Sequence, residues 1–313
     1  MSEIINGVIN IYKEKDFTSN DVVAKLRGIL KMRKIGHTGT LDPDAEGVLP
    51  VCLGNATKLF DILTDRTKEY ETVLLLGKET DTQDISGEVL NESDAWKELS
   101  EDTIISTIKS FEGGYDQIPP MYSALKVNGK KLYELAREGK VIEREPRFVD
   151  ITNIEIKAID LPRITMKLSV SKGTYIRTIC NDIGNKLGCF GTMEKLLRTR
   201  VGSFNIDKSL TLSQVEEIRD RGELASIITG VTDLFDYPKL IVKATSDKYL
   251  LNGNVFVPVD VDTVDDIQAD EKSLASINSK NKYFMVYIST GQFIGIYEWI
   301  NKEKKYKPYK MFL

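Results

Sequence analysis

Apolar residues fall in short blocks along the chain, and their spacing predicts a mixture of strands and helices. Val8, Ile9 and Ile11 make residues 6–12 read as a buried strand. Val22, Val23, Leu26, Ile29 and Leu30 recur at helical spacing, which predicts a helix capped at Asn20-Asp21 and running to about residue 32. Residues 47–53 and 69–76 read as strands, with a helix over 56–63 between them. Further helices are expected over 104–111 and 131–138. Ile164, Met166, Leu168 and Val170 alternate, as in a half-buried strand. A helix over 176–187 ends at Gly188, and another runs over 211–219 with Thr211 as its cap.

Past Pro238 the pattern shifts to short β-rich segments, 283–288, 293–299 and 306–312, with Ser289-Thr290-Gly291-Gln292 as a hairpin turn. The expected organisation is an α+β domain over 1–238, a mixed sheet flanked by helices, and a small β-domain over 239–313. A chain of 313 residues fits about two domains.

The net charge of −4 alone argues against a nucleic-acid partner, but the charge is segregated. Residues 126–147 hold seven Lys/Arg against four acids, and 301–313 hold five lysines, 302, 304, 305, 307 and 310, against Glu303. An acidic run over 260–271 offsets both. Cys52, Cys180 and Cys189 sit among apolar neighbours and read as buried small hydrophobes. One histidine and no ligand cluster predict no metal site. Residues 1–7 lack the pattern of a signal peptide and no stretch is long enough to span a membrane, so a cytoplasmic protein is expected.

The densest chemical signal is the segment 36–50, Gly-His-Thr-Gly-Thr-Leu-Asp-Pro-Asp-Ala-Glu-Gly-Val-Leu-Pro. It is a glycine-rich loop with a carboxylate, Asp42, held extended by the following Pro43. On chemistry alone the simpler reading is a turn in which Asp42 caps nearby amides. A phosphate loop is disfavoured because no Gly-Lys-Ser/Thr ending follows.

This segment resembles the catalytic motif of the TruB family of pseudouridine synthases. The resemblance continues, in family order, through Gly54-Asn55-Ala56-Thr57-Lys58, Lys68-Glu69-Tyr70 and the block 77–84. It goes on through Pro120-Met121-Tyr122-Ser123-Ala124-Leu125-Lys126, Ser171-Lys172-Gly173-Thr174-Tyr175-Ile176-Arg177 and Leu196-Leu197-Arg198-Thr199-Arg200. It implies a pseudouridine synthase fold with a PUA-like domain after it, and isomerisation of uridine 55 in the tRNA T-loop.

By the resemblance, Asp42 is the nucleophile or base, Arg177 its ion-pair partner, and Tyr70 stacks on the target base. His37, Tyr175, Asp84, Lys13 and Leu197 would bind substrate, with His37 holding the flipped-out nucleotide. The stretch 115–147 stands where the family has an insertion that clamps the T-loop. The partner implied is a tRNA T-stem loop, with no obligatory protein partner. No cofactor is implied either, because the isomerisation balances its atoms without redox, ATP or metal. An enzyme acting on another RNA, a nucleoside hydrolase, and a non-catalytic RNA-binding protein or tRNA-folding chaperone on the same fold are the alternatives. One departure stands out: Glu14 and Asp16 replace the usual proline and glycine of the first motif, and Asp16 can adopt a left-handed turn only at some cost where glycine would sit freely, which leaves the local loop geometry open.

Overall fold

In the computed structural model, residues 5–64, 66–127 and 129–313 are described. Residues 1–4, read above for a leader, lie outside the described residues. Strand β1 (Gly7–Lys13) pairs antiparallel with β3 (Glu46–Leu53), Gly7 opposite Leu53 and Lys13 opposite Gly47. Both strands are buried on both faces, so their period of two feeds two separate cores. Ile9, Ile11, Leu49, Val51 and Leu53 face one cluster with Val22, Val23, Leu26 and Leu30. Val8 and Cys52 face another, described below.

The helix α1 (Ser19–Leu30) is capped by Thr18, not by the expected Asn20-Asp21. The Thr18 hydroxyl accepts from the Asp21 amide and the Asp21 carboxylate accepts from the Thr18 amide, a reciprocal box that places Asp21 inside the first turn. The helix ends at Lys31 in a left-handed conformation, and β2 (Ile35–His37) then pairs with β3.

The large sheet runs in the order Ile151–Asp160, Arg163–Val170, β4 (Lys68–Leu76), Gly191–Val201, β3, β1 and Ile228–Thr229. Among the described residues all its ladders are antiparallel except Gly191–Val201 against β3. The sheet is thus mixed and largely antiparallel, as expected. The helix Ile176–Lys186 packs on it through Ile176, Ile179, Cys180 and Ile183, in one cluster with Leu41, Ala45, Tyr70 and Leu74.

Two long strands, 151–160 and 191–201, have no counterpart in the elements expected from the pattern. The expected helix 56–63 is a 3-10 turn, Gly54–Leu59, followed by a short α-helix, Phe60–Thr64. The basic stretch forms its own unit. Tyr115–Gln117 pairs with Arg147–Val149 as a stalk, and Met121, Leu132 and Leu135 make a small core beyond it.

After residue 238 a second, six-stranded sheet forms, with the helix Glu271–Lys280 packed on it through Leu274. The acidic run is structural: Asp260 accepts from Ser246 and Val257, Asp265 and Asp266 sit in a positive-φ turn, and Asp270 caps the helix. No helix among the described residues is long and apolar enough to cross a membrane. The three cysteines are free and buried.

Candidate active site

The loop between β2 and β3 carries Asp42, and it is fixed from beneath by two buried cations. Lys13, at the end of β1, is 0% exposed, and its ammonium donates to the carbonyls of Glu14 (3.0 Å), Phe17 (2.6 Å) and Pro43 (3.0 Å). Burial lowers its pKa to about 8. Arg198, on the central strand, is 1% exposed. Its guanidinium donates to the carbonyls of Val48 (2.7 Å), Gly39 (3.1 Å) and Thr40 (3.4 Å).

Other contacts complete the loop. Ser19, the first residue of α1, accepts from the Leu41 amide at 2.9 Å, and the Asp42 carbonyl accepts from the Ala45 amide at 3.1 Å. Gly47 has φ +107, and any Cβ there would lie 2.2 Å from the Arg198 carbonyl oxygen, so only glycine lets β3 approach the central strand this closely. Asp16, standing where the family has glycine, holds φ 69 and donates its amide to the Pro43 carbonyl.

Arg177, in the first turn of its helix, reaches the same loop. Its Nη1 lies 3.3 Å from Asp42 Oδ2 and 3.2 Å from Asp84 Oδ2, and its Nη2 donates to the Tyr122 carbonyl at 2.6 Å. The Arg177 side chain is 8% exposed and that of Asp42 42%, so the arginine lies beneath and the carboxylate is open to solvent. Desolvation raises the Asp42 pKa above its ordinary value against the pull of Arg177, and the charge of Asp84 adds to the rise.

Asp84 also accepts from the hydroxyls of Thr82 and Ser86, so it anchors the arginine from a turn of its own. Tyr70 comes from β4, nearly buried, in one apolar cluster with Leu41 and Ala45 on either side of Asp42. Tyr175 caps the arginine helix, and the Arg177 guanidinium lies 5.9 Å from its ring centre. Its backbone amide and carbonyl are both held by Gln117, at 2.9 and 3.1 Å. His37 is half-buried on β2; burial first, then the charge of Arg198, lowers its pKa, so the imidazole is neutral at neutral pH. Leu197 sits half-buried on the central strand between Glu46 and Glu71.

The fold therefore brings Asp42, Arg177, Asp84 and Tyr175 into one constellation, with Tyr70 packed beside the loop. Lys13 lies under the loop with its ammonium on three carbonyls. Two residues that hold the backbone of this site escaped the sequence reading. Arg198 lay in a recognised block with nothing to mark it as buried, and Gln117 is a single polar residue in an irregular stretch.

Residues 27–176 match the N-terminal domain of the TruB family of pseudouridylate synthases, and residues 177–235 match the tRNA pseudouridylate synthase B C-terminal domain. The chain is 51% identical to the tRNA pseudouridine synthase B of Lachnoclostridium phytofermentans, over 99% of this chain and all of that one. The chain belongs to the TruB family. The corresponding synthase of Clostridium kluyveri is 44% identical over the same shares. The TruB chain also shares its fold with solved structures. These include a Cbf5-Nop10-Gar1 complex (TM-score 0.70, 26% identity) and an H/ACA ribonucleoprotein bound to a substrate RNA containing 2′-deoxyuridine (TM-score 0.69, 23% identity). Each covers 98% of this chain and 85% of the other. The two TruB matches meet at Ile176 and Arg177, so the loop carboxylate lies in the first and its arginine opens the second.

Proposed function

We propose that this chain isomerises a uridine of tRNA to pseudouridine, at position 55 of the T-loop, with Asp42 as the reacting carboxylate. The observation that carries the reading is the Asp42–Arg177 pair at 3.3 Å, on a loop whose backbone is tied to the buried Lys13 and Arg198. A carboxylate kept ionised and oriented can attack C1′ covalently, or remove the C2′ proton to give a glycal. In either route the N1–C1′ bond breaks, the base turns, C5 joins C1′, C5 loses its proton and N1 gains one. Tyr70 and Tyr175 supply aromatic walls for a base flipped out of the folded loop. His37, neutral, serves as a hydrogen-bonding partner of the extruded nucleotide. The stalked basic unit clamps the stem-loop, and the second sheet acts as a PUA-like RNA-binding domain.

The test is tritium release from C5-labelled uridine in tRNA. Asp42→Asn keeps the shape but is neither nucleophile nor base, so release should fall to background while tRNA binding stays within about threefold. Appreciable turnover by the mutant would remove Asp42 from the reaction.

A further inference from the structure

Between Asp21 and Asp42 the chain carries five cations, Lys25, Arg27, Lys31, Arg33 and Lys34, and no acid. All five are exposed, and among the described residues none forms an ion pair. Of the three acids on the neighbouring helix Leu212–Asp220, Glu216 and Asp220 are bound by Arg219, which also donates to the Ile29 carbonyl of α1, while Glu217 is exposed. In a protein of net charge −4 this is an isolated positive surface.

Its shape adds an independent observation. Arg27, Gly28, Lys31, Met32 and Arg33 line a shallow concavity. Glycine inside a helix costs about 1 kcal/mol relative to alanine. A methyl group at Gly28 would meet no other atom within 4 Å, and its φ is ordinary, so the fold itself does not require glycine there. A bare helix backbone beside the exposed Lys31 and Arg33, with Arg27 held by the Arg33 and Ile35 carbonyls, fits a partner whose own backbone is anionic and comes close.

The position selects the partner. Ser19 at one end of α1 touches Leu41, beside Asp42, and Lys31 caps the other end. Twelve helical residues span about 18 Å, which is roughly six base pairs of an A-form RNA stem. We propose that this α1 surface is a second RNA-docking site, seating phosphates of the substrate stem less than one duplex turn from the target uridine, with Gly28 as the point of closest approach. The proposal rests on the tRNA reading above.

The test measures direct tRNA binding as a function of salt, alongside steady-state tritium release. The Lys31→Gln/Arg33→Gln variant should weaken binding several-fold at 0.15 M salt. It should reduce the slope of log K against log salt by about 1.5–2, as two lost phosphate contacts require, and leave saturating kcat unchanged. Gly28→Ala should raise the melting temperature and also raise KM. Unchanged affinity and salt slope in the double variant would overturn the proposal, as would a stabilised Gly28→Ala enzyme with wild-type KM. An equal loss of affinity for a DNA duplex of the same length would make the surface a general polyanion patch and overturn its assignment to the substrate stem. Because binding is measured without turnover, failure of the isomerase reading would appear separately, as absent tritium release by the wild-type protein.

Discussion

Arg177 lies between two carboxylates and one carbonyl, and a planar fork can meet all three only in one orientation. A lysine keeps the charge but has a single nitrogen. Arg177→Lys should therefore lower kcat by about tenfold or more and leave KM within about threefold, in steady-state tritium release. A lysine enzyme matching wild type would refute the orienting role. The same pair sets a pH dependence. On the proposed function Asp42 reacts as the anion, and desolvation, opposed by Arg177, places its pKa above the ordinary value. kcat/KM should rise with pH through that value and then level. Arg177→Gln removes the opposing charge, so the acid limb should move to higher pH. A limb that stays in place or moves down would show that Arg177 does not govern Asp42. At this scale the resemblance singled out Asp42, Arg177, Asp84 and Tyr175, which the fold brings together, and the missing glycine of the first motif drew attention to Asp16, which holds a positive φ. That the ammonium of Lys13 is tied to Pro43 was not legible, because the contact crosses thirty positions of chain.

The loop 36–50 is a single element in the energetic sense, because Arg198 ties its two ends to the central strand. Arg198→Met would leave the Gly39, Thr40 and Val48 carbonyls without that donor, at a cost on the order of 3 kcal/mol. Arg198→Lys should remain folded but lose kcat more than affinity. Denaturant unfolding and kinetics together check this; an Arg198→Met protein as stable and active as wild type would refute it.

Glu69 does the corresponding work on the sheet, accepting from Arg200 on the central strand and pairing with Lys167 on the strand beyond β4. Its hydrogen bond from Arg200 is the main cause of a pKa lowered to about 2. A carboxylate depressed on folding stabilises above its unfolded pKa and loses that contribution as pH falls through the folded one. Glu69→Gln should thus be less stable than wild type at pH 7, with the difference shrinking between about pH 4.5 and 2. A constant difference across that window would refute the ion-pair explanation. The strand 191–201 itself was illegible as an element. Its sequence, Gly-Thr-Met-Glu-Lys-Leu-Leu-Arg-Thr-Arg-Val, has no clean alternation, because two register shifts against β4 interrupt the period of two.

Across the whole molecule, the two sheets meet at a shared apolar core. Ile296 of the second sheet packs in one cluster with Val8, Cys52, Ala56, Leu59 and Leu63 of the first, and with Val231, Leu234 and Phe235 between them. Lys310 pairs with Asp61 and Lys58 donates to the Met311 carbonyl across the same junction. Ile296→Ala should cost about 2–4 kcal/mol and shift both domains together in calorimetry; loss of the second sheet in a separate, earlier transition would show that the junction does not couple them.

The tail lysines, read from sequence as one basic strip, divide here. Lys310 is tied to Asp61 and Lys305 to Glu303, while Lys302, Lys304 and Lys307 are exposed. Tyr306 is wholly buried against Phe256 and Phe284, so it cannot stack on a base. The sequence by itself determined the family and the mixed α+β class, and it singled out the residues proposed for the site, because ordered motifs and local periodicity are written in residues near one another. Only the tertiary structure decided which cations hold the loop, which hold the junction and which face solvent. Burial and partner choice depend on chain segments tens to hundreds of residues apart, and no local pattern records them.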